Sequence, residues 1–392
     1  MSPGTSRFIA EHVEALKPSG IRRFFDLAST MDNVISLGVG EPDFVTPWNV
    51  IEASYHSLEQ GYTAYTANAG LMELRELIAD YLKTTYSVSY RPADQVIVTV
   101  GASQAIDIAL RAILNPGDEV IIVEPCFVAY ASAVTLAGGV PISVGTKAEN
   151  GFKLQPEELE KALTPKTKAI ILCNPNNPTG TMLNREELLP IAELVEAHDL
   201  LVLSDEIYAE LSYEADYVSF SSLPGMQERT ILISGFSKSF AMTGWRLGYA
   251  AGPVELIQAM TKIHQYTIMC APTMAQYGAV EALRSGSASV EHMKKSYRQR
   301  RNFVTSSFEE MGLMTNRPGG AFYIFPSIKE TGMSSEAFAE ALLMEEKVAV
   351  VPGSVFGESG EGYIRCSYAT SMKQLTEAMK RMKRFVDKRL AR

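Results

Sequence analysis

One recurring unit constrains this chain most: a short apolar, largely β-branched run that stops at a polar or glycine-rich cluster, with amphipathic helical segments between the runs. Val96 to Val100 leads into Gly101-Ala102-Ser103-Gln104, and Val120 to Val123 leads to Phe127. Ala169 to Cys173 leads into Asn174-Pro175-Asn176-Asn177-Pro178-Thr179-Gly180, Leu200 to Leu203 into Ser204-Asp205-Glu206-Ile207-Tyr208, and Thr230 to Ile233 into Ser234-Gly235-Phe236-Ser237-Lys238. Runs this apolar leave neither face for water, so they read as strands of a mostly parallel sheet covered by helices on both sides. After the first run, Ala105, Ile106, Ala109, Ala112 and Ile113 fall on one helical face, and Asn115-Pro116-Gly117 ends the helix. The expected fold class is α/β. In open parallel sheets ligands bind outside the carboxyl ends of the strands, so the polar clusters are expected to converge on one site.

From about residue 290 the pattern changes to long charged helices around Met293 to Met311, a strand-like Ala321 to Phe325 and a terminal helix, which reads as a second, α+β unit. A chain of 392 residues suits a large domain with a smaller companion. Hydrophobic residues at 46% and charged residues at 21% match a globular enzyme. The net charge of -9 argues against a nucleic-acid footprint. Basic residues crowd only the C-terminus, where Leu375, Met379, Met382 and Val386 form one helical stripe. A terminal helix with a solvated basic face fits this stripe; a membrane-surface helix is the other reading.

Cys126, Cys173, Cys270 and Cys366 stand far apart, without metal-ligand or redox spacing, which fits a reduced, cytoplasmic location. The five histidines form no pair at ligand spacing, so no metal site is expected. The N-terminus lacks the apolar core of a signal peptide, and no run approaches the roughly 20 apolar residues of a membrane span.

Gly101-Ala102-Ser103, between a strand and a helix, offers backbone N–H groups and a helix dipole to a phosphate, although such turns are also common for packing alone. Gly38 and Gly40 lack the third glycine of a dinucleotide fingerprint, since Asp43 stands there. The stretch from Ser237 to Gly248, Ser-Lys-Ser-Phe-Ala-Met-Thr-Gly-Trp-Arg-Leu-Gly, is far more specific. It resembles the lysine signature of class I/II aminotransferases, enzymes of fold type I that use pyridoxal 5'-phosphate (PLP). Asn177-Pro178-Thr179-Gly180, Asp205-Glu206-Ile207-Tyr208 and Arg365 match the family's other markers in order, and the resemblance runs from about Ile35 to the C-terminus.

The resemblance implies a division into an N-terminal segment (1–45) that joins the small domain, a large PLP-binding domain (46–289), and the C-terminal part of the small domain (290–392). It implies that Lys238 forms the Schiff base and acts as general acid and base. Asp205 would pair the pyridinium nitrogen, Tyr208 and Asn177 would donate to the phenolate oxygen, and Phe127 would stack on the ring. Arg246, Ser237 and the Gly101-Ala102-Ser103 turn would hold the phosphate. Arg365 and the backbone of Gly40 would receive the substrate α-carboxylate, as would Asn177. Tyr65 resembles a tyrosine that reaches the phosphate from a neighbouring subunit, which implies a homodimer with shared sites. One departure stands out: many relatives carry a serine where this chain has Gly235.

The reaction implied is transfer of the amino group of an L-amino acid to a 2-oxo acid such as 2-oxoglutarate. Ser103 stands where one aspartate-preferring subgroup has a lysine, so neutral or aromatic donors, alanine or phenylalanine among them, are expected. Arg22 or Arg23 could instead supply a cation to the cleft, and Ile21, Phe24 and Phe25 an apolar pocket. Aspartate or N-acetyl-diaminopimelate aminotransferase is the alternative, and a PLP-dependent carbon–sulfur lyase a further one.

Overall fold

The computed structural model describes residues 8–16, 31–214 and 217–390. After a short β1 (Ile35–Ser36), the chain builds a seven-stranded sheet from β2 (Val96–Thr99), β3 (Glu119–Glu124), β4 (Val140–Gly145), β5 (Thr167–Cys173), β6 (Leu201–Asp205), β7 (Thr230–Gly235) and β8 (Gly248–Ala251). The order across the sheet is β2-β8-β7-β6-β5-β3-β4, and β8 alone runs antiparallel to its neighbours. The apolar runs are therefore buried on both faces, as their composition requires.

Side-chain alternation shows how each strand serves two cores. Val120, Ile122, Ala169, Ile171, Leu203, Ile231 and Ile233 pack on one face with the helices Gly101–Ile113 and Val254–Thr267. Ile121, Ile170, Leu172 and Val202 pack on the other with the helix Arg185–Ala197. The expected face of the first helix is borne out, but Ile108 and Leu110 are buried as well, so this helix lies inside the protein rather than over it.

The remaining strands are short: β9 (Tyr323–Ile324), β10 (Val348–Ala349), β11 (Val351–Pro352) and β12 (Ile364–Ser367). β1 pairs with β10 in parallel, and β11-β12-β9 form an antiparallel sheet. A separate core joins Leu37 to Met293, Tyr297, Phe308, Phe338 and Phe385, and Tyr208 reaches into it. The expected strand from Ala321 to Phe325 shrinks to Tyr323–Ile324, because Ala321 holds a left-handed backbone (φ 58°). The strand expected over Leu200 to Leu203 runs on to Asp205, so that carboxylate ends a strand and caps no helix.

The terminal helix Met372–Leu390 buries Leu375, Met379, Met382 and Val386, as its stripe predicts. Its basic face is not simply solvated. Arg384 and Lys388 pair with Glu346 at 2.6 and 3.4 Å, and Arg389 pairs with Glu345 at 2.5 Å, so the face docks on the acidic end of the helix Ser335–Glu346. Among the described residues no helix is long and apolar enough to cross a membrane.

Candidate active site

The carboxyl ends of β5, β6 and β7 open into a cavity of about 540 Å³, shared with the Gly38–Glu41 loop, the start of the helix Gly101–Ile113, and β12. Asp205, the last residue of β6, is buried there. Its Oδ2 accepts the Tyr130 hydroxyl at 2.7 Å, and its Oδ1 accepts the Ile207 N–H at 3.2 Å. Burial raises its pKa, while both donors pull it back towards the ionised form.

Lys238 follows β7 and donates from Nζ to the Gly40 carbonyl at 2.6 Å. Burial lowers its pKa to about 8; the Glu41 carboxylate opposes that shift, while Arg365 and Arg246 add to it. On β12, the buried Arg365 donates to Asn177 Oδ1 at 2.9 Å and to the Gly38 carbonyl at 2.6 Å. Among the described residues its Nε has no hydrogen-bond partner, so a buried donor remains free for an acceptor. Because Asn177 accepts from Arg365 through Oδ1, its amide N–H₂ stays available to donate. Tyr208, also buried, shares a hydrogen bond with Tyr323 at 2.9 Å.

The far wall is an anion cradle. Ala102 and Ser103 line it at the N-terminus of the helix Gly101–Ile113, joined by Ser237 and Arg246. Arg246 holds a left-handed backbone (φ 54°), uncommon for a residue with a side chain. Gly101 lies beneath this cradle rather than on its surface: a Cβ there would stand 2.8 Å from Arg246 Nη2. A Cβ on Gly248 would stand 2.6 Å from Ala102 N, and one on Gly235 would stand 2.8 Å from Gly248 Cα. Three glycines thus bring the helix start down onto β7 and β8. The departure at Gly235 has this physical reason: a serine side chain has no room beside β8.

Gly40 and Phe127 line the same cavity, so nearly all the residues singled out from sequence are gathered in it. Tyr65 is not: it is 77% exposed on the surface of this chain. Ile21, Arg22, Arg23, Phe24 and Phe25 lie outside the described residues. Sequence reasoning missed Tyr130, Glu41 and Tyr323, which also line the cavity. For Tyr323 a clue was present in the Gly319-Gly320 pair before an aromatic run; for Tyr130 no local pattern exists.

The family model for aminotransferase class I and II matches residues 32–382. A Bacillus subtilis protein named YugH is 64% identical over 97% of this chain and 99% of its own length. The aspartate aminotransferase of Pyrococcus abyssi is 49% identical over 96% of this chain and 97% of its own. The crystal structure of an aromatic aminotransferase from Pyrococcus horikoshii superposes with a TM-score of 0.90 at 48% identity, covering 93% of this chain and 99% of that one. Matched over most of its length in both sequence and fold, the chain belongs to the class I and II aminotransferases and is a transaminase that works with pyridoxal 5'-phosphate.

Proposed function

We propose that this aminotransferase moves the amino group of neutral or aromatic L-amino acids to a 2-oxo acid such as 2-oxoglutarate, with Lys238 as the cofactor-bearing and proton-transferring residue. The observation that carries this reading is the buried Lys238 amine, lowered to about 8, in one cavity with Asp205 and the free Nε of Arg365. The donor set fits the cofactor. The cradle of Ala102 and Ser103 backbone, Ser237 and Arg246 matches a phosphate. Asp205 matches a protonated ring nitrogen, because a buried carboxylate calls for a cation. Tyr208 and the Asn177 amide are the donors for the phenolic oxygen, and Phe127 is the stacking partner.

Bound PLP supplies an aldehyde for the amine and a ring that draws electrons from the substrate α-carbon. Lys238, with its amine free, would take the proton from the substrate α-carbon and deliver it to the cofactor carbon that carried the aldehyde. Its lowered pKa suits a base working near neutrality. Arg365 grips the α-carboxylate beside Gly40, and Asn177 steadies the guanidinium. Tyr65 serves the phosphate of a second copy in a cytoplasmic homodimer with shared sites. The chain divides into a segment 1–45 that joins the small domain, a large domain 46–289 and the small-domain residues 290–392; the separate core around Phe308, Phe338 and Phe385 supports this division.

Among the described residues, Lys238, Arg246 and Arg365 are the cavity's Lys and Arg side chains, and each already has a role. That supports a neutral or aromatic side chain over aspartate. Steady-state rates for alanine, phenylalanine, tyrosine and aspartate against 2-oxoglutarate test it. Alanine or phenylalanine should lead, with overlapping activities, because an apolar pocket discriminates by only about 1 to 3 kcal/mol per methylene. A preference for aspartate by several orders of magnitude would overturn the reading. Release of ammonia and pyruvate from cysteine without transfer would point to a lyase instead.

A further inference from the structure

Tyr323 touches three parts of the site at once. Its hydroxyl lies 2.9 Å from that of Tyr208, and both side chains are buried. The same hydroxyl sits against Gly40, where a Cβ would come within 2.5 Å of it. Gly40 in turn accepts the Lys238 amine through its carbonyl. The face of the Tyr323 ring lies 4.5 Å from the Arg365 guanidinium carbon, close enough for a cation–π contact in a dry setting.

Proton accounting gives this arrangement a direction. Two phenols own two O–H groups, and one of them is spent on the bond between them. If Tyr208 donated to Tyr323, it would have nothing left for an acceptor inside the cavity. If Tyr323 donates, Tyr208 keeps its own O–H for that acceptor. Among the described residues Tyr323 makes no other side-chain hydrogen bond, so nothing competes for its proton.

We propose that Tyr323 is a positioning residue serving both halves of the site: its hydroxyl donates to Tyr208, which frees the Tyr208 proton for the cofactor's phenolic oxygen, and its ring carries Arg365 for the substrate carboxylate. This rests on the roles of Tyr208 and Arg365 given above. Glycine at 40 belongs to the same device, since any side chain there would displace the Tyr323 hydroxyl.

Two substitutions in the holoenzyme separate the two tasks. Tyr323→Phe removes the hydroxyl and keeps the ring; Tyr323→Leu removes both. The first readout is the pH at which the visible band of the bound cofactor changes. Tyr208→Phe should move it, and Tyr323→Phe should move it the same way by less, about threefold to tenfold in proton affinity, as one neutral hydrogen bond is worth. The double variant should go no further than Tyr208→Phe alone. The second readout is binding of 3-phenylpropanoate, which offers a carboxylate without an amine. Tyr323→Phe should bind it as the unaltered enzyme does, and Tyr323→Leu at least about threefold more weakly.

If Tyr208→Phe moves the band and Tyr323→Phe does not, the relay is wrong while the role of Tyr208 survives. If neither moves it, the Tyr208 reading fails and the relay with it. Equal binding of 3-phenylpropanoate by the Phe and Leu variants would overturn the part assigned to the ring.

Discussion

In its proposed role Lys238 has to be two things: an amine uncharged often enough to attack an aldehyde, and a base strong enough to take a carbon-bound proton. Burial supplies the first without destroying the second, since a pKa of about 8 leaves roughly a tenth of the amine neutral at pH 7, against well under a thousandth at the ordinary value. A pH profile follows. Cofactor-stripped protein mixed with PLP should take it up about fivefold faster at pH 8 than at pH 7 and level off above about pH 9. Stopped-flow absorbance reads this directly, and a rate still climbing about tenfold between pH 8 and pH 9 would show an unshifted amine. At this scale the sequence was legible where chemistry is written in consecutive residues. The stretch from Ser237 to Gly248 pointed to Lys238 and Arg246, the two markers before it pointed to Asn177, Asp205 and Tyr208, and all five line the one cavity. It was silent where chemistry depends on partners distant along the chain. Tyr130 meets Asp205 across 75 residues with nothing local to mark it, and Tyr323 meets Tyr208 across 115 with only the Gly319-Gly320 pair as a hint.

Among the elements, the long buried strands were readable and the short ones were not. β2, β3, β5, β6 and β7 carry enough consecutive β-branched and apolar residues to declare themselves, whereas the edge strand β4 is largely exposed and carries a proline and a glycine, and β1 and β9 to β11 have two residues each, too few for any period. Their pairing is set by the core around them. The contact of β7, β8 and the helix Gly101–Ile113 was equally hidden, because a glycine's reason lies in what approaches it. That contact yields a prediction at Gly235. Gly235→Ser should lower the thermal midpoint, at a cost of about 1 to 3 kcal/mol for overpacking, and should not tighten cofactor binding, since the added Cβ meets Gly248 before any phosphate. Thermal melts and cofactor titrations measure the two effects. A serine that strengthened PLP binding without loss of stability would mean that the hydroxyl reaches the cradle after all.

At the scale of the molecule, the described lining of the cavity comes from one chain and does not include Tyr65, the residue the family resemblance assigned to a neighbour. Tyr65 faces outward, and so do Trp48, Tyr55 and Tyr266, each more than half exposed, with Met72, Ile268 and Met269 also exposed. Apolar and aromatic side chains left out in this number fit a surface that another chain covers. A two-fold dimer would cover the same patch on both copies and bring each Tyr65 to the other's site. Complementation tests the arrangement. Lys238→Ala and Tyr65→Ala proteins, each weak alone, are mixed in equal amounts under conditions where labelled subunits are seen to exchange. Random pairing makes about half the dimers hybrid, and each hybrid has one site with Lys238 from one chain and Tyr65 from the other, so about a quarter of full activity should return. Exchange without any recovery would confine each site to a single chain and leave the exposed Tyr65 without its assigned role.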